Sequence, residues 1–303
     1  LSELQFIHYE EIIMSVSAQI GLDTILALLQ NIDTVTYAKH DVAFEGSGES
    51  NDLFIGHEGK DIAKGGLGND LLLGHDGNDS FGGGAGDDML AAGVGDDKLG
   101  GGIGNDMLFG GDGIDKLRGG AGNDFLSGDA GDDQLFGGAG IDTLMGGAGL
   151  DQFMYRGNVF ANGTPAPAGQ TGINALNQPD VISDFTFGED KFVFDGQDLG
   201  IESFTFQQGL SSAITGDTNL IVLTDAFAGA AAAAKAIADN TNVTADEGVF
   251  VYFNSTLGMT RMVYSKDLSD GGDISVLANL DNQRGDAGLA GLANFSANDF
   301  ALV

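Results

Sequence analysis

Twelve aspartates recur at a fixed interval of nine residues, without a slip: Asp52, Asp61, Asp70, Asp79, Asp88, Asp97, Asp106, Asp115, Asp124, Asp133, Asp142 and Asp151. Two residues before each stands a glycine, except at Ser50, and two residues after each stands a large apolar residue, except at Ala63. Carboxylates placed so regularly among glycines supply the hard oxygen donors that divalent cations take. Calcium suits the pattern best, because it accepts about 6–8 oxygens in flexible geometry, whereas magnesium is smaller, prefers an octahedron and keeps its water. Nothing else in the chain competes as chemistry. Its only histidines are His8, His40, His57 and His75, with no His-Glu-x-x-His helix, no Gly-x-Ser-x-Gly elbow and no cysteine. These residues therefore read as a binding module without catalysis.

The element that positions the aspartates is a repeat. Residues 47–154 divide into twelve nonapeptides of the form GGxGxDxUx, with U apolar. The first six residues are too glycine-rich for a helix or a long strand and favour a tight turn. The last three suit a short strand whose central side chain points inward. Turn, strand, turn, strand makes a coil of 18 residues, and successive coils stack as parallel strands about 4.8 Å apart. Phe54, Leu72, Leu90, Leu108, Leu126 and Leu144 face Ala63, Phe81, Leu99, Leu117, Leu135 and Phe153 across a thin core. Alternate aspartates share an edge, where carboxylates about 5 Å apart repel by roughly 0.8 kcal/mol even in water. Such a stack needs counterions, and six turns per edge enclose gaps for about ten calcium ions in all.

These nonapeptides resemble the RTX, or haemolysin-type, calcium-binding repeats of bacterial secreted proteins. The resemblance implies a right-handed parallel β-roll, mainly all-β, folded by extracellular calcium. Departures are local: Ser47 and Ser50 weaken the first turn, Ala92 replaces a first glycine, and His57, His75 and Asp129 replace second glycines.

The two faces of such a roll differ. Outward residues of the odd repeats are nearly all apolar, including Leu53, Ile55, Leu71, Leu73, Met89, Met107, Phe109 and Phe125. Those of the even repeats include Lys64, Lys98, Lys116 and Arg118. An apolar face of that extent implies a cover, either another part of this chain or another copy.

Four regions follow: an N-terminal cap or the end of an upstream domain over 1–46, the roll over 47–154, a loop over 155–179 holding all three prolines, and a C-terminal mixed, mainly β, capping and secretion domain over 180–303. Helices are expected near 23–31, 226–239 and 285–294. Strands are expected at 14–18, 35–37, 181–187, 191–194, 219–224, 249–253 and 261–265. Segment 180–194 resembles the stretch after the β-roll in serralysin-type proteins, and its Asp180, Asp184 and Asp190 could ligate a further calcium. The ending from Asp299 to Val303 resembles the C-terminal signal of type I secreted proteins, which implies export machinery as a partner and an extracellular location.

Net charge of −33 excludes nucleic acid and anionic membranes as general partners, and no apolar run spans a bilayer. A start at Leu1 reads as part of something longer. Three functions remain: a calcium-binding structural and export module, a self-assembling surface-layer, filament or matrix protein, and the tail of a secreted enzyme.

Overall fold

The computed structural model describes residues 34–37, 42–46, 48, 50–157, 179–269 and 272–303. The strands expected at 14–18, the helix at 23–31 and most of the proline-bearing loop lie outside the described residues.

Two short strands, β1 (Thr34–Tyr37) and β2 (Ala43–Glu45), precede the repeats. The first coil is β3 (Asp52–Ile55) and β4 (Ile62–Leu67), the second β5 (Leu71–Asp76) and β6 (Ser80–Ala85). The third is β7 (Met89–Val94) and β8 (Lys98–Ile103), the fourth β9 (Met107–Asp112) and β10 (Lys116–Ala121). The fifth is β11 (Phe125–Ala130) and β12 (Gln134–Ala139), the sixth β13 (Thr143–Ala148) and β14 (Gln152–Tyr155). Odd and even strands form separate parallel sheets in strict 18-residue register, as in Leu72 with Leu90 and Leu117 with Leu135. The chain is a parallel β-roll, and its core is the expected pair of facing rows, from Phe54 at 0% exposure to Phe81 at 4%.

Two corrections concern extent. Most strands are six residues long rather than three, because pairing resumes on the second glycine and the residue after it, as in Gly120 with Gly138 and Ala121 with Ala139. Identical backbone repeats above and below give the glycines partners that a lone turn would lack. The stack is also longer than the repeats: β1 pairs with β3 and β2 with β4, while β15 (Asp180–Ile182) continues from β13 and β16 (Lys191–Phe194) from β14. The even sheet thus holds nine strands and ends on β22 (Phe300–Leu302).

After β16 come a one-turn helix, α1 (Gly196–Leu199), then β17 (Phe206–Gly209), β18 (Leu220–Phe227), α2 (Ala230–Ala238), β19 (Gly248–Asn254), β20 (Met259–Asp267), β21 (Gly272–Arg284) and α3 (Gly285–Gly291). Strands β15, β21, β20, β19, β18 and β17 extend the odd sheet to 13 strands, with β19, β20 and β21 antiparallel. The helices at 226–239 and 285–294 and four of the expected C-terminal strands are present. The expected strand at 181–187 stops at Ile182, since Asp184 and Thr186 turn the chain. Strands β17, β21 and β22 were not expected.

Packing explains the junction. Phe153, Phe185, Phe192, Phe295 and Phe300 stack across the C-terminal end of the roll, Phe185 and Phe192 at 4.5 Å between ring centres. On the other side of the sheet, α2 buries Ala230, Ala233, Ala234 and Ile237, the spacing of one helical face, against Ile221, Phe250, Val263 and Val276. Small alanines let the helix axis approach the sheet closely.

The apolar outer face is not open to a partner along the first four coils. Leu53, Ile55, Leu71, Leu73, Met89 and Phe109 are buried within the single chain. The opposite face is wet, with Lys64, Lys98, Lys116 and Arg118 exposed.

Candidate metal centre

Every repeat aspartate lies inside one of the two edges, and none is more than 2% exposed. Each edge is a ladder. The backbone N–H of Asp52 donates to Asp70 Oδ1 at 2.8 Å, Asp70 to Asp88, Asp88 to Asp106, Asp106 to Asp124 and Asp124 to Asp142. On the other edge Val42 donates to Asp61, Asp61 to Asp79, Asp79 to Asp97, Asp97 to Asp115, Asp115 to Asp133 and Asp133 to Asp151. Ala92 and the missing glycines at His75 and Asp129 leave the ladder whole. The two latter residues adopt the left-handed backbone themselves, at φ 82° and 73°.

Oδ1 is therefore satisfied along the stack, but Oδ2 is not. In Asp70, Asp88, Asp97, Asp106, Asp115, Asp124, Asp133, Asp142 and Asp151, Oδ2 is buried and receives no hydrogen bond. A buried, unpaired carboxylate oxygen is costly unless protonated or matched by a cation. Burial pushes Asp88 up to about 8 and Asp97 and Asp133 up to about 7, with carboxylates one coil away adding to the rise and the amide donors opposing it. Asp70, Asp106, Asp115, Asp124 and Asp142 rise to about 6, again chiefly by burial.

In several repeats a backbone carbonyl oxygen of the next coil lies near the same turn glycine as the Oδ2. A Cβ placed on Gly119 would lie 2.6 Å from the carbonyl oxygen of Gly137 and would overlap Asp124 Oδ2. The first position of a repeat is therefore tight, held by glycine in most repeats and by Ala92 in one, and it brings a carboxylate and the next coil's carbonyl close together. Among the described residues no group of three or more acidic or histidine side chains converges. A cation at these edges must draw on carbonyls as well as carboxylates, which is the oxygen-rich, flexible environment calcium prefers. The donor set fits calcium.

The ladder does not stop with the repeats. Asp142 N–H donates to Asp180 Oδ1 and Asp151 N–H to Asp190 Oδ1, both at 3.1 Å. Asp180 and Asp190 thus stand at the next level of each edge, and burial raises both, Asp190 to about 6. Asp184 stands apart from the ladder: its two oxygens accept from the amides of Gly146 and Gly147 at 3.0 and 2.8 Å. Asp180, Asp184 and Asp190 consequently serve different coil positions.

A second ladder escaped the sequence reading. On the outside of one edge Asn69 N–H donates to Asn51 Oδ1, Asp87 to Asn69, Asn105 to Asp87, Asn123 to Asn105 and Ile141 to Asn123. The other edge has shorter stretches through Asn78, Asp96 and Asp132. Its signal was the Asn or Asp just before eight of the twelve ladder aspartates. The polarity is opposite to that of the inner ladder, so each such coil junction is clasped in both directions.

A buried, doubly stitched carboxylate stack with glycine turns defines a calcium-binding parallel β-roll. In agreement, four copies of the RTX calcium-binding nonapeptide repeat match residues 47–81, 73–108, 109–144 and 136–154. Residues 47–154 are thus RTX calcium-binding repeats. Comparison with curated protein sequences gave no match. Among the described residues no helix is long and apolar enough to cross a membrane.

Proposed function

We propose that the chain is a structural and export module of a secreted bacterial protein, held unfolded where calcium is scarce and folded by calcium outside the cell. The observation that carries this reading is the row of buried Oδ2 atoms without hydrogen-bond donors. Ligands that converge only in the folded roll make metal binding and folding one equilibrium. The RTX match supports the extracellular setting, since proteins with these repeats are typically secreted by bacteria. The role is non-catalytic, with the carboxylates committed to the ladders, and the C-terminal strand serves as the export address. Assembly through the apolar odd face is disfavoured by its burial within the chain.

Circular dichroism during a calcium titration tests the proposal. Chelated chain at neutral pH should lack β-structure and gain it cooperatively in calcium. A full β-spectrum in chelator at pH 7.5, unchanged by calcium, would overturn it.

A further inference from the structure

The even sheet carries a feature that calcium binding does not use. Its in-register strands place Ser80, Lys98, Lys116, Gln134, Gln152 and Lys191 in a single outward row along the roll. Six strands at about 4.8 Å spacing make the row about 24 Å long. The chain has 12 cations, and five of them, Lys64, Lys98, Lys116, Arg118 and Lys191, lie on this one face, all exposed. Among the described residues the only acid on the strands of this face is Glu45, at its first strand. Beside the row the floor is flat: a Cβ on Gly82 or Gly100 would meet nothing within 4 Å, so packing does not demand glycine there. Farther along, Phe136 lies under Arg118 at 5.4 Å.

The geometry points to this face as a docking strip for a linear acidic polysaccharide, laid along the roll axis. Cations recognise its carboxylates, Ser80, Gln134 and Gln152 exchange hydrogen bonds with hydroxyls, and the glycine floor lets flat sugar rings lie close. A second copy of the chain is a poorer occupant, because its regular carboxylate rows are buried and cannot meet the strip. A globular protein partner would need an apolar centre, and this face has none in its middle.

The inference rests on the calcium-loaded roll. Residues 47–154 carry −15, of which the twelve ladder aspartates account for −12. With those matched by calcium, the roll is nearly neutral overall and locally positive on the strip. Remaining repulsion from distant acids is screened beyond about 8 Å at physiological salt.

Calorimetric titration of the full chain with hyaluronate oligosaccharides in millimolar calcium tests the strip, with circular dichroism in the same buffer. The wild type should bind, and the triple variant Lys98→Gln, Lys116→Gln, Arg118→Gln should bind at least tenfold more weakly with the same spectrum and calcium midpoint. Lys235→Gln, on α2, should bind as wild type does. Folded wild type that ignores hyaluronate, a triple variant that binds normally, or equal binding of neutral dextran or duplex DNA would each overturn the proposal. A chain that gains no β-structure with calcium would instead refute the calcium reading beneath it.

Discussion

At the scale of single residues, the ladder separates two jobs within one carboxylate. Oδ1 stitches neighbouring coils together by accepting a backbone N–H, and Oδ2 faces the glycine turn where a cation would sit. Asp115→Asn keeps an acceptor for the Asp97 amide but removes the charge. The calcium concentration at half-folding should rise on the order of tenfold, about 1.4 kcal/mol; an unchanged midpoint would mean that this aspartate holds no ion. Neighbouring glycines are just as divided. Gly82→Ala meets open space and should leave stability within about 1 kcal/mol of wild type. Gly83→Ala drives a methyl into Asp88 Oδ2 and should cost about 1–3 kcal/mol in calcium. Thermal melts of the pair would show whether the turn glycines differ as the contacts demand.

At the scale of elements, the stack responds to protons as well as to calcium. The folded, metal-free roll holds Asp88 near 8 and Asp97 and Asp133 near 7, while an unfolded aspartate titrates near 3.9. Folding without metal therefore takes up protons. The stabilisation from protonation is complete below about pH 4 and is lost as pH rises through 6 to 8. Chelated chain should regain β-structure on acidification toward pH 5 and lose it again by pH 8. A flat circular dichroism signal across that range would contradict the buried-carboxylate account. The terminal strand has its own test: removing residues 300–303 bares β16 and deletes the buried Phe300, at a cost of about 3–5 kcal/mol in calcium. A truncated chain that melts at the wild-type temperature would show that the aromatic cluster closes the roll without it.

At the scale of the whole molecule, one sheet runs from solenoid to tail without a break, through β13, β15 and β21. Much of this was legible in the chain. A nine-residue period with an apolar residue at one phase fixes the coil, the two core rows and both aspartate edges, because every repeat votes for the same register. What was hidden depends on partners far away in sequence. Strand β21 mixes Asn279, Asp281, Asn282 and Gln283 with apolar residues and shows no clean alternation, and only its place between β15 and β20 makes it a strand. The resemblance makes Asp190 a candidate ligand, but only the stack sets it one level beyond Asp151. The outer Asn ladder was visible as composition but not as a bond, since position alone does not say which way an amide points.

The unlike faces of the roll also restrict how its length can change. Eighteen added residues would insert one more storey and leave every later side chain facing as before. Nine would hand each later strand to the opposite wall, turning Phe109 and Met107 toward water and the lysines toward the covered side. A gene for this roll can therefore grow or shrink by pairs of repeats, and odd numbers are closed to it.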